Sequence, residues 1–196
     1  MAKKQKNKKH TEAVRRKAVA AEQMAKLGLS LDGDSVSVGF VFSHLAVSHL
    51  TYLGIGSINN VCRNYAGIDV CIFTQHVIKP CLQLSCSVFP VADLLRWHAY
   101  PLISTTIGTT LDALASNAPM VYHYAFDPEF IDRQHVPSGD IRKAFCDPRV
   151  KVVTRHETHA ELIEAEFGIK VCKTIVPDCD AEALARLVLT ETKDNG

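Results

Sequence analysis

Short apolar runs recur along the chain, and they are not half-polar. Residues 36–42, 70–73, 82–88, 102–107, 120–126, 150–154 and 170–176 each read as a strand. Helical stretches alternate with them. Val14, Ala21, Met24 and Leu27 fall on one face of a leading helix over 11–27, which Gly28 can close. Further helices are expected over 58–65, over 90–97 with Pro90 in the first turn, from 108 to near 117, and over 139–145. Residues 43–56, with their histidines and glycines, read as a long connection. Thr154 and Glu157 have capping-box spacing, so a helix should run to Phe167, with Gly168 past its end. Asp180 can cap a last helix that buries Leu184, Leu187 and Val188 on one stripe.

Strands without polar alternation are buried on both faces. The pattern therefore predicts an α/β fold, a three-layer Rossmann-like domain with a mostly parallel sheet. It also divides the chain into a basic, disordered arm and leading helix over 1–35, and one domain over 36–196.

Charge sharpens that division. The chain has 196 residues and a formal net charge of +1. Its first 17 residues carry eight basic side chains, Lys3, Lys4, Lys6, Lys8, Lys9, Arg15, Arg16 and Lys17, against Glu12 alone. The remainder is acidic overall, which argues against broad nucleic-acid binding through the body's surface. The arm is the expected contact for a nucleic acid or an acidic partner.

Seven cysteines, an odd number without a Cys-x-x-Cys, mostly lie in apolar runs and read as reduced core residues of an intracellular protein. No metal site is expected. The basic N-terminus has no apolar run behind it, and no apolar stretch reaches 18 residues. A signal peptide and a membrane span are therefore not expected, and a cytoplasmic location is.

In open parallel sheets, ligands bind outside the carboxyl ends of the strands. That rule selects Ser43 and His44, Gln75 and His76, Thr106 and Gly108, Asp127 and Glu129, and Arg155 and His156. The histidines offer a general base or an anion ligand; each can equally bond a loop backbone. His123, between two tyrosines, reads as packed. Gly54-Ile55-Gly56-Ser57-Ile58-Asn59 lacks the third glycine of a dinucleotide loop. The histidines of His156-Glu157-Thr158-His159 are three apart, not the four of a zinc helix. Neither a phosphate-binding P-loop nor a Gly-x-Ser-x-Gly elbow occurs.

Three blocks carry a family resemblance: Ile103-Ser104-Thr105-Thr106-Ile107-Gly108-Thr109-Thr110, then Tyr122-His123-Tyr124-Ala125-Phe126-Asp127-Pro128-Glu129-Phe130, then Val152-Val153-Thr154-Arg155-His156-Glu157-Thr158-His159. Together they resemble the first domain of GT-B glycosyltransferases, in particular the glycosyltransferase-like proteins of bacteriophages. Ile175-Val176-Pro177-Asp178-Cys179-Asp180 is similar to the run into the second domain of those enzymes. The resemblance implies an acceptor-side half-domain that transfers sugar from a nucleotide-sugar with a partner chain or a second copy. His44, His76 and Asp127 would then be catalytic, with His44 or His76 as the base. Thr106, Gly108, Thr109, Glu129, Arg155 and His156 would meet substrate or phosphate. No cofactor would be tightly bound, and the location would be the host cytoplasm. The alternative is a non-enzymatic phage binding domain derived from such an enzyme, with the basic arm as its contact.

Overall fold

A computed structural model describes residues 36–65, 68–76, 80–97, 100–127, 131 and 137–194. The basic arm and the expected leading helix lie outside the described residues. Six strands form one parallel sheet: β1 (Val36–His44), β2 (Ile68–His76), β3 (Ser87–Pro90), β4 (Leu102–Ser104), β5 (Val121–Ala125) and β6 (Val150–Thr154). Their spatial order is β3-β2-β1-β4-β5-β6. This is the three-layer Rossmann-like architecture that the apolar strands imply.

The helices are α1 (His49–Asn64), α2 (Ile107–Leu114), α3 (Ser138–Cys146), α4 (Glu157–Phe167) and α5 (Ala181–Asp194). Short 3-10 turns occupy Val91–Arg96 and Pro177–Cys179. One face of the sheet presents Phe40, Phe42, Ile72, Ile103, Tyr122 and Tyr124 to α1 and α5, and this is the larger apolar core. On the other face, Val41, Phe73, Leu102 and Val121 pack with α2. Ala125 and Val152 continue that second layer against α3 and α4.

Several expectations change. Helix α1 starts at His49, not 58, because Ser48 and Thr51 form a reciprocal cap in which Thr takes the place of Glu. The glycines of the 54–59 segment are therefore inside a helix. A Cβ on Gly54 would stand 3.0 Å from the Phe42 ring and 3.3 Å from Cys179 Sγ, so this glycine serves close helix–sheet packing.

The third strand begins at Ser87, not 82. The Asn59 amide takes the backbone bonds of the preceding segment, donating to Gln83 O at 2.7 Å and accepting from Ser85 N at 2.8 Å. Pro90 closes that strand and stands before the 3-10 turn, not within it.

Residues 170–176 make an isolated bridge, Thr154 to Ile175, and not a seventh strand. Their amides are dispersed: Val171 N bonds the Glu164 carboxylate, Cys172 N bonds Val152 O, and Val176 N bonds Thr154 O. Thr154 is the last residue of β6 and does not cap α4; His156 holds the cap position without a side-chain bond. Asp180 does cap α5, accepting from Glu182 N and Ala183 N. Of the cysteines, Cys71 and Cys179 are buried, four are intermediate and Cys146 is exposed, so the core reading fails for Cys146.

Candidate functional site

Because every strand runs the same way, the residues that follow them share one edge of the sheet. The chain leaves β1 toward α1 on one face and leaves β4 toward α2 on the other. The neighbouring exits of β1 and β4 therefore diverge, and this switch point is where such sheets take ligands.

From β1 come Ser43 and exposed His44, with Ser43 Oγ 3.0 Å from His44 Nδ1. His44 is in register with His76 on β2, which is also exposed, and Leu45 N donates to His76 O at 3.1 Å. Gln75 donates instead to the Asp112 carboxylate at 2.9 Å.

From β4 come Thr105 and Thr106. Thr106 caps α2: its hydroxyl accepts from Thr109 N at 3.2 Å, while Thr109 Oγ1 accepts from Thr106 N at 2.9 Å. Thr109 is 1% exposed, so its hydroxyl serves the cap and would reach a ligand only if that cap opened. Gly108 is exposed in the first turn of α2. Asp127 is exposed at the exit of β5, and Glu129 lies outside the described residues.

The β6 exit differs from those of β1 and β4, whose helices are capped by side chains. Helix α4 has no side-chain cap. Thr154 Oγ1, Arg155 Nε and His159 Nδ1 are all buried without a hydrogen-bond partner among the described residues. His159 precedes buried Ile163 by one helical turn, so it shares the inward stripe of α4. Its ring meets that of His156 edge-on at 5.4 Å.

Arg155 is fixed from two sides. Its guanidinium carbon lies 4.2 Å from the centroid of the Phe126 ring, and Nη2 lies 3.7 Å from Asp178 Oδ1. The edge of His49, at the start of α1, meets the same ring at 5.6 Å. Asp178 is carried by a turn in which both Asp178 and Cys179 have left-handed φ, 53° and 54°. Tyr124 holds that turn: its hydroxyl donates to Val176 O at 2.7 Å and accepts from Cys179 N at 2.9 Å. Burial raises the Tyr124 pKa, so the phenol stays protonated and able to donate.

Beneath the rim lies a buried polar chain. Ser104 Oγ is 2.7 Å from Thr110 Oγ1, which is 2.7 Å from His123 Nδ1. Burial pushes the His123 imidazole down to about 3, so it is neutral and structural.

The rim thus holds two groups. His44 and His76 are neighbours. Arg155, His156, His159 and Thr154 gather at the other end, with Asp127 nearby on the adjacent strand. At a strand spacing of about 4.8 Å, the β2 and β6 exits are about 19 Å apart. Phe126, Thr154, His159 and Asp178 are contributors that sequence reasoning missed. Ala125 pairs with Thr154, so Phe126 and Arg155 are the next positions of the same register. That signal exists only once the strands are aligned.

The chain matches no family model, no curated protein and no solved structure. Among the described residues, no group of three His, Cys, Asp or Glu side chains is placed to hold a metal ion. No described helix is long and apolar enough to cross a membrane.

Proposed function

We propose that this chain is the acceptor-side half of a glycosyltransferase of the GT-B type, related to those of bacteriophages. Its rim would face the diphosphate of a nucleotide-sugar, gripped mainly by a partner chain or a second copy. The carrying observation is the set of unpartnered buried atoms at the β6–α4 turn. A buried polar atom without a partner costs about 1–3 kcal/mol, so this turn favours a water or ligand that can pair with it. The Arg155 guanidinium and an uncapped helix start are donors that suit anionic oxygens, whereas the fully buried Thr154 hydroxyl would reach one only if the turn moved.

Sugar transfer needs such donors. An acceptor hydroxyl attacks the anomeric carbon and the bond to the diphosphate breaks. The hydroxyl proton passes to a base, His44 or His76, and negative charge grows on the departing diphosphate. Arg155 and the α4 amides would stabilise that charge. The basic arm would add an acceptor contact where the acceptor is a nucleic acid.

Isothermal titration against a panel of nucleotide-sugars tests this reading. One member should bind at micromolar strength, at least tenfold more weakly in Arg155→Ala. Labelled-sugar transfer, with and without a candidate partner chain, then tests the chemistry. Silence across the panel would remove the donor contact from this chain.

A second reading is a non-enzymatic binding domain, favoured by the distance along the rim between the histidines and Arg155. It expects full biological activity when His44, His76, Asp127 and Arg155 are replaced together.

A further inference from the structure

Away from the rim, at the amino end of the sheet, two thiols meet. Cys62 lies in the last turns of α1, and Cys86 immediately precedes β3. The Asn59 amide fixes both backbone partners of the 83–85 segment, so that segment is tied against α1. Cys62 is three residues beyond Asn59, on the same helical face. Cys86 follows Ser85, whose amide the clamp holds. The clamp therefore brings both sulfurs to the same pocket, where they interact.

Both thiols are reduced, both are partly accessible, and both line an open pocket of about 280 Å3 with Tyr65, Asp69, Ser85 and Ser87. The hydrogen bond from Cys86 lowers the Cys62 thiol to about 7, while Cys86 is raised by that same bond and by burial. First attack is assigned to Cys62 and resolution to Cys86, both of which open onto the same pocket. Cys71 and Cys179 contrast with them: each is buried, with its thiol pushed up to about 12 by desolvation.

We propose that Cys62 and Cys86 form a redox-active dithiol, closed to an intramolecular disulfide by a low-molecular-weight disulfide of the glutathione class. The Cys62 thiolate attacks one sulfur of oxidised glutathione, forming a mixed disulfide and releasing one glutathione thiolate. Cys86 then gives up its proton and attacks Cys62 Sγ, expelling the second glutathione. The two protein thiols are oxidised to one disulfide, and one glutathione disulfide is reduced to two thiols. The product staples the end of α1 to the start of β3, closing a long loop of the unfolded chain.

The test is to incubate the full reduced chain with oxidised glutathione, block free thiols with an alkylating agent, and map the cysteines by mass spectrometry. The dominant product should be a Cys62–Cys86 disulfide with a higher thermal midpoint than the reduced chain. Cys86→Ser should accumulate a glutathione adduct at Cys62. Oxidation confined to other cysteines, with Cys62 and Cys86 still alkylated, would overturn the proposal. So would a persistent glutathione adduct on Cys62 in the unaltered chain.

Discussion

The guanidinium of Arg155 stands over the ring of Phe126, 4.2 Å from its centroid, and the two residues leave β5 and β6 one position after the last paired residues. The ring face supports the cation while Asp178 draws on Nη2. Arg155→Ala should weaken binding of a nucleotide-sugar or of inorganic pyrophosphate at least tenfold, or ~1.4 kcal/mol. Arg155→Lys should recover little, because an ammonium has neither the planar stack nor the fork. Titration calorimetry at two salt concentrations measures both effects, and equal affinity in all three proteins would defeat this role.

His123 makes stability depend on acidity. Its pKa falls from 6.5 to about 3 on folding, so the unfolded chain takes up the proton first. The stabilisation is complete above pH 6.5 and is lost as pH falls from there toward 3, by at most about 1.4 kcal/mol per pH unit. Urea unfolding at pH 7, 6, 5 and 4 should show this decline. His123→Gln, which keeps a hydrogen-bonding group for Thr110, should flatten it. An unchanged slope in that variant would assign the decline to other groups.

Tyr124→Phe removes the hydroxyl that serves both Val176 O and Cys179 N. Both partners are buried, so the loss should be about 1–3 kcal/mol. The turn that carries Asp178 should also loosen, seen as faster amide exchange at Cys179. An unaltered exchange rate would show that the strained turn holds itself.

Asn59→Ala frees Gln83 O and Ser85 N, groups beside exposed residues that water can reach. A loss of about 1 kcal/mol is expected. The same variant should slow closure of the Cys62–Cys86 disulfide, which thiol trapping over time would record.

Deleting residues 1–17 should leave the thermal transition nearly unchanged. The six described strands form one sheet with apolar clusters on both faces, and the first 17 residues are mostly basic and polar with no large apolar stripe. A large loss of helix and strand signal would show that the arm contributes to the core.

Strands β1, β2, β5 and β6 were legible because burial on both faces forces continuous apolar runs such as Phe40-Val41-Phe42. The end of α4 at Gly168 and the Asp180 cap of α5 were legible because their chemistry is local. The start of α1 was not, since a threonine did the work expected of a glutamate. The stretch from Lys170 to Val176 has strand composition, yet its amides found Glu164 and β6 separately, a choice only tertiary packing makes. Parallel strands make a common rim foreseeable. What gathers on that rim depends on strand order and register, which bring Arg155 to Phe126 and set His76 four strand spacings away.

The crossovers after β4 and β5 both lie on the α2–α3 side, so the opposite surface of those strands is roofed by α5. Tyr122, Tyr124 and Val153 share one apolar cluster with Leu184 and Val188, so that cluster is complete only once α5 has docked. Without that helix, this flank of the sheet would expose apolar surface to water and invite association with other chains.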